Sequence, residues 1–148
     1  MIYIGCDHGG LELKKAIIGL LKSKGLEVTD LGTNSTESVD YPDYGIAVAE
    51  KVAEDLGNRG IVICKSGIGM CIAANKVMAV RCALCTSVDM ARLCREHNDA
   101  NILALGASNT DTQTALDIVD TFLSTKFEGG RHLNRVLKIT SYDEKHSK

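Results

Sequence analysis

Apolar residues run almost unbroken from Met1 to Cys6, stop at Asp7-His8-Gly9-Gly10, and recur as Leu13, Ile17, Leu20 and Leu21 up to Gly25. The continuous run predicts a buried strand, and recurrence every three to four residues predicts a helix. Leu26 to Leu31 repeats the strand signal. Gly32 to Asp43 reads as a polar loop containing the only proline, Pro42, and Ile46, Ala49, Val52, Ala53 and Leu56 mark an amphipathic helix ending at Gly57-Asn58. A third strand, Gly60 to Cys64, breaks into a glycine-bearing loop and a short helix carrying Ile72, Ala73, Ala74 and Asn75. Val80 to Cys85 is the fourth strand. Thr86-Ser87 opens a helix through Met90, Ala91 and Cys94 that runs down to Glu96-His97-Asn98-Asp99, before a fifth strand at Asn101 to Leu105. Thr110 to Leu123 predicts the last long helix, Arg131 to Lys138 a short basic one, and Tyr142 to Lys148 a frayed tail.

Five strands, each followed by a helix or a crossing loop, predict an α/β fold with a parallel sheet covered on both faces. Ligands of such sheets gather at the carboxyl ends of the strands. That places Asp7-His8, Cys64 to Gly69, Thr86 and the turn at 106–109 on one edge.

The 148 residues, 45% of them hydrophobic, suffice for one core and one domain spanning 1–148. A net charge of -2 gives no electrostatic footprint for nucleic acid or an anionic membrane. No apolar run approaches the roughly 18 residues of a membrane span. The six cysteines sit in apolar runs, and Met1-Ile2-Tyr3-Ile4-Gly5 lacks a signal-peptide layout, which favours a reduced, cytoplasmic protein. Cys82 and Cys85 form a C-x-x-C, but three residues apart on a strand they point to opposite faces and make no metal site.

The candidate chemistry centres on Gly60 to Cys71. A thiol at a strand end, followed by N–H groups freed by Gly67 and Gly69 and aimed by a helix N-terminus, suits negative charge. Asp7-His8 reads equally as a helix cap or as a sugar ligand. His97 closes a helix, where a histidine often complements the dipole. Arg131 and Arg135, four apart, share a helix face and form either a solvated basic patch or a two-pronged anion site. A dinucleotide fingerprint and a Walker lysine pattern are both missing.

Taken together, Gly5-Cys6-Asp7-His8-Gly9-Gly10, Asp40-Tyr41-Pro42, Cys64-x-Ser66-Gly67-Ile68-Gly69, Ala73-Ala74-Asn75-Lys76, Arg95-Glu96-His97-Asn98-Asp99-Ala100-Asn101 and Gly129-Gly130-Arg131-His132-x-x-Arg135 closely resemble the type B ribose-5-phosphate isomerases. That family includes galactose-6-phosphate and allose-6-phosphate isomerases. The resemblance implies a three-layer α/β/α Rossmann-like sandwich with sheet order 2-1-3-5-4, no metal and no cofactor, and a homodimer or homotetramer whose active sites are shared between subunits. It implies aldose-ketose isomerisation of D-ribose 5-phosphate through an enediolate. Cys64 would be the base, and N–H groups over Ser66, Gly67, Ile68, Gly69 and Met70 would hold the enediolate oxygen. Asp7, Tyr41, Ser66, His97 and Asn98 would hold the hydroxyls and assist ring opening, with His97 moving the proton and, with Asn98, reaching in from the partner. His8, Arg131 and Arg135 would hold the phosphate.

Two positions depart from the family pattern. Lys65 stands where glycine is usual, so a loop needing positive φ there would be strained. Gly106-Ala107-Ser108-Asn109 stands where the family commonly carries a phosphate-binding arginine, a contact worth roughly 1.5–3 kcal/mol. Both departures keep two rivals in view, a six-carbon phosphosugar isomerase and a non-catalytic sugar-phosphate binding module. A thiol redox protein is a third, weakened by the lack of a resolving pair in the sequence.

Overall fold

The computed structural model describes residues 1–147. Its centre is a five-stranded parallel sheet in the order β2-β1-β3-β5-β4, formed by β1 (Ile2–Cys6), β2 (Val28–Asp30), β3 (Arg59–Cys64), β4 (Cys82–Leu84) and β5 (Ile102–Gly106). Both the parallel sheet and the implied strand order are therefore found. The strands are joined by α1 (Leu11–Ser23), α2 (Tyr41–Ala53), α3 (Ile68–Ala74) and α4 (Val88–Glu96), with α5 (Thr112–Ser124) and α6 (Arg131–His146) following β5.

Residues alternate along β3 between two cores. Ile61 and Ile63 pack with α1, α4 and α5, including Ile17, Leu21, Cys94, Ile118 and Phe122. Val62 and Cys64 face α2 and α3, against Val48, Val52, Met70 and Ala74. A strand covered on both faces has no polar side to show, which is why Gly60 to Cys64 reads as a continuous apolar run. Each such Leu or Ile buried contributes about 1.5–3 kcal/mol. Cys82 packs on the α2–α3 side and Cys85 on the other, as the strand spacing predicts.

Two boundaries differ from the sequence reading. The loop after β2 ends at Asp40, because Asp40 is extended and Pro42 fits the first turn, so Tyr41 is already helical. The C-terminal helix does not stop at Lys138 but continues to His146, so Tyr142 lies within it. Only His132 and Val136 of α6 are buried, while Leu133, Leu137, Ile139 and Tyr142 are exposed.

Candidate active site

The carboxyl ends of β1 and β3 are side by side, with Cys6 paired to Ile63 and Cys64 paired to Gly106 of β5. Cys64 is buried, and its Sγ accepts the Gly67 N–H at 3.2 Å. Gly67 makes that turn at φ 80°, and a Cβ there would lie 2.6 Å from Leu84 Cδ1 and 2.8 Å from the Leu105 carbonyl carbon. Glycine is thus required twice, for conformation and for space. Ser66 Oγ accepts the Ile68 N–H at 3.3 Å. With the Gly67 and Ile68 donors engaged, those of Gly69 and Met70, in the first turn of α3, have no intrahelical acceptor.

Other groups close round this loop. The Tyr41 ring lies over Gly69, where a Cβ would come within 2.6 Å of it. Asp7 is buried and accepts the Gly9 N–H at 2.9 Å, so it does cap the short 3-10 turn His8–Gly10. His8 is exposed and its Nδ1 accepts the Val39 N–H at 3.2 Å, which leaves the ring proton on Nε2 as an outward donor. The segment after β2 is anchored from beneath by Lys14, fully buried, whose Nζ donates to Asp30 Oδ1 (2.7 Å), Thr33 O (2.5 Å) and Asn34 Oδ1 (2.8 Å).

The remaining candidates lie elsewhere. His97 caps the C-terminus of α4, and Asn98 and Asp99 lead into the start of β5, at the amino edge of the sheet. His97 stacks on His132 of α6 with ring centroids 4.2 Å apart, which brings the exposed Arg131 and Arg135 to the same side. Burial, then the neighbouring His97 and Arg131, hold His132 below the ordinary histidine range. A five-residue strand rising about 3.3 Å per residue separates the edges by roughly 15 Å. Within one chain, then, Arg131 and Arg135 do not meet His8, and His97 and Asn98 do not meet Cys64. A groove of about 380 Å³ between α6 and the end of α2 involves Leu56, Arg59, Arg81 and Leu137 and none of the Cys64 cluster.

Comparison with known proteins bears on this divided arrangement. Residues 2–139 match the model of the Ribose/Galactose Isomerase family. The chain belongs to this family. A putative sugar phosphate isomerase of Rickettsia bellii is 54% identical over 138 residues, 93% of this chain and 96% of the relative. The ribose-5-phosphate isomerase B of Clostridium thermocellum superposes with a TM-score of 0.96 at 56% identity, covering 99% of both chains. That of Mycoplasma genitalium, solved with bound ribulose-5-phosphate, superposes with a TM-score of 0.95 at 45% identity over 99% of this chain and 97% of the other.

For a ribose/galactose isomerase, this chain has three features that its sequence hid or misplaced. Lys65 is not strained: among the described residues the non-glycine ones with positive φ are Ala79 and Asp99, and Gly67 takes the turn instead. Lys65 opens the bend after β3, with its carbonyl accepting the Ser108 N–H at 2.9 Å. Second, four of the six free cysteines sit side by side as two pairs, neither of which includes Cys64. Cys85 and Cys94 bring their sulfurs within 3.9 Å in the core, and this shared hydrogen bond, then burial, raises Cys85 far above an ordinary thiol. Cys71 lies beside Cys82, and the Cys82 thiol's hydrogen bond pulls the half-buried Cys71 down to about 7, helped by Asn75 Nδ2 at 3.6 Å. Their spacing in sequence, eleven and nine residues, carries no signal for either pair. Third, Lys14, placed on the apolar stripe of α1, was the one sign of the anchor beneath the loop at 31–40.

Among the described residues, Glu96, His97 and Glu128 bring ligand atoms within 4.8 Å of one another. Glu96 is already bound by Arg92 at 2.6 Å, and the 3.9 Å from His97 Nε2 to Glu128 Oε1 suits an ion pair when His97 is protonated. No described helix is long and apolar enough to cross a membrane.

Proposed function

We propose that the chain interconverts D-ribose 5-phosphate and D-ribulose 5-phosphate, in an active site that two copies complete. The reading rests on one observation above all. Cys64 stands at the carboxyl edge beside unengaged N–H donors of α3, while His97 stands at the amino edge, so a site that uses both needs a second copy of the chain. The relatives solved and named as ribose-5-phosphate isomerase B support the substrate.

In this reaction the open-chain aldose lies with C1 and C2 over Cys64. The thiolate takes the C2 proton, leaving an enediolate whose O1 accepts from the Gly69 and Met70 N–H groups; the resulting thiol returns the proton to C1 while the C2 hydroxyl proton passes to O1, leaving the C2 ketone. Asp7, Tyr41 and Ser66 hold hydroxyls, and His8 donates from Nε2 to the phosphate. From the second copy, His97 moves the proton that opens the ring, Asn98 orients the sugar, and Arg131 and Arg135 clamp the phosphate.

Mixing Cys64→Ala and His97→Ala variants tests both the base and the division. Each alone is inactive, and after subunit exchange the mixture regains about one quarter of wild-type turnover, because half the dimers are mixed and each holds one intact site. Turnover by Cys64→Ala alone, or a mixture that exchanges subunits and stays inactive, refutes the assignment.

A six-carbon sugar phosphate is the second reading, favoured by the exposed, uncharged Ser108 and Asn109 that leave one end of the cluster open. Comparing turnover of ribose, allose and galactose phosphates separates the two.

A further inference from the structure

Lys65 follows Cys64 directly, in the bend that ends β3, with the Ala107 N–H on the Cys64 carbonyl and the Ser108 N–H on its own, both at 2.9 Å. Along an extended chain successive side chains leave on opposite faces. Cys64 points toward α2 and α3, so Lys65 leaves toward the His8–Gly10 turn: a Cβ placed on Gly9 would lie 3.5 Å from Lys65 Cβ. The lysine stem thus starts between the turn that carries His8 and the turn that carries Ser108.

Its charge is unanswered. Lys65 is exposed and forms no ion pair among the described residues. The segments leaving the five strands at this edge are 7–10, 31–40, 65–67, 85–87 and 107–111, and Lys65 is the only lysine or arginine in them. Lys14 reaches the same edge from α1, but its ammonium is enclosed by Asp30, Thr33 and Asn34. A lone surface lysine is ordinarily a solvated charge. This one is fixed at its root by two flanking turns, one residue from the candidate base and against the turn that carries His8.

We propose that Lys65 binds the substrate's phosphate together with His8, supplying from the Cys64-bearing chain the cation that the turn at Ser108 lacks. Because its side chain leaves on the face opposite Cys64, it acts at the phosphate end of the sugar and not at C1 and C2. This rests on the sugar-phosphate reading above and names a binding residue that the motif resemblance does not include.

The test compares wild type with Lys65→Met and Lys65→Arg as assembled, full-length protein. Removing one charge-assisted contact raises KM for ribose 5-phosphate by about 10- to 100-fold with kcat nearly unchanged, and raises the inhibition constant of inorganic phosphate by a similar factor. Lys65→Arg restores both. Unchanged KM and phosphate inhibition in Lys65→Met overturn the proposal, as does a fall in kcat at constant KM, which would put Lys65 at the reacting carbons. If no sugar phosphate is turned over at all, the isomerase reading fails separately, and thermal stabilisation by inorganic phosphate still decides: present in wild type and lost in Lys65→Met supports the contact, while equal stabilisation overturns it.

Discussion

Replacing Gly67 by alanine perturbs the active-site loop at its most constrained point. Two costs combine. A side chain at φ 80° is disfavoured by about 1–2 kcal/mol. The added methyl would also press on Leu84 Cδ1 at 2.6 Å and on the backbone of Leu105 and Gly106 at 2.8 and 3.0 Å. Leu84 can rotate, but the β5 backbone cannot, and overpacking of this kind costs about 1–3 kcal/mol. The sum is roughly 2–5 kcal/mol unless the loop itself moves. If it moves by about 1 Å, the donor to Cys64 Sγ and those of α3 are displaced, and turnover falls about 100-fold. Gly25→Ala supplies the control, since Gly25 has φ 72° but nothing within 4 Å of its would-be Cβ. Urea unfolding of both variants, with initial rates on ribose 5-phosphate, separates strain from clash. Gly25→Ala loses only the conformational cost and keeps its rate. If Gly67→Ala matches Gly25→Ala in stability and wild type in rate, the argument for a close-packed loop fails.

Two further outcomes follow from buried groups. Lys14→Met leaves Asp30, Thr33 O and Asn34 without their shared donor and lowers stability by about 3 kcal/mol, read as a shift in the urea midpoint at constant slope; a loss under 1 kcal/mol would show that water replaces the ammonium. Cys71 is the thiol most readily alkylated near neutrality: as pH rises its thiolate fraction grows through about 7, so the rate of iodoacetamide labelling reaches half-maximum there, mapped by peptide mass spectrometry. A midpoint above pH 8.5, or preferential labelling of the buried Cys6, which burial pushes up to about 11, would contradict the shared hydrogen bond with Cys82.

Much of this architecture is legible along the chain, and the exceptions have physical causes. The inner strands β1, β3 and β5 announce themselves because strands covered on both faces write nearly unbroken apolar runs, and the Gly67 turn because only glycine satisfies its φ. The start of α2 is obscured because its apolar stripe begins at Ile46, although Asp40 and Pro42 already mark a cap and a first turn. The full length of α6 is hidden because Thr140 to His146 is polar and the helix buries only His132 and Val136. Lys65 misleads in the other direction: a residue unexpected in a glycine-rich loop looks strained until the backbone shows that the positive φ belongs two residues on. The separation of His97 from Cys64 within one chain follows from topology, since His97 precedes a strand and Cys64 ends one, and it agrees with the motif resemblance, which already implied that His97 and Asn98 come from a second copy.

That division has a kinetic meaning. If two copies complete the site as proposed, a solitary chain would be an incomplete catalyst, and below the dissociation constant of the pair the rate would fall with the square of protein concentration. Dilution would then act as an off switch requiring no effector, with abundance setting specific activity as well as total activity.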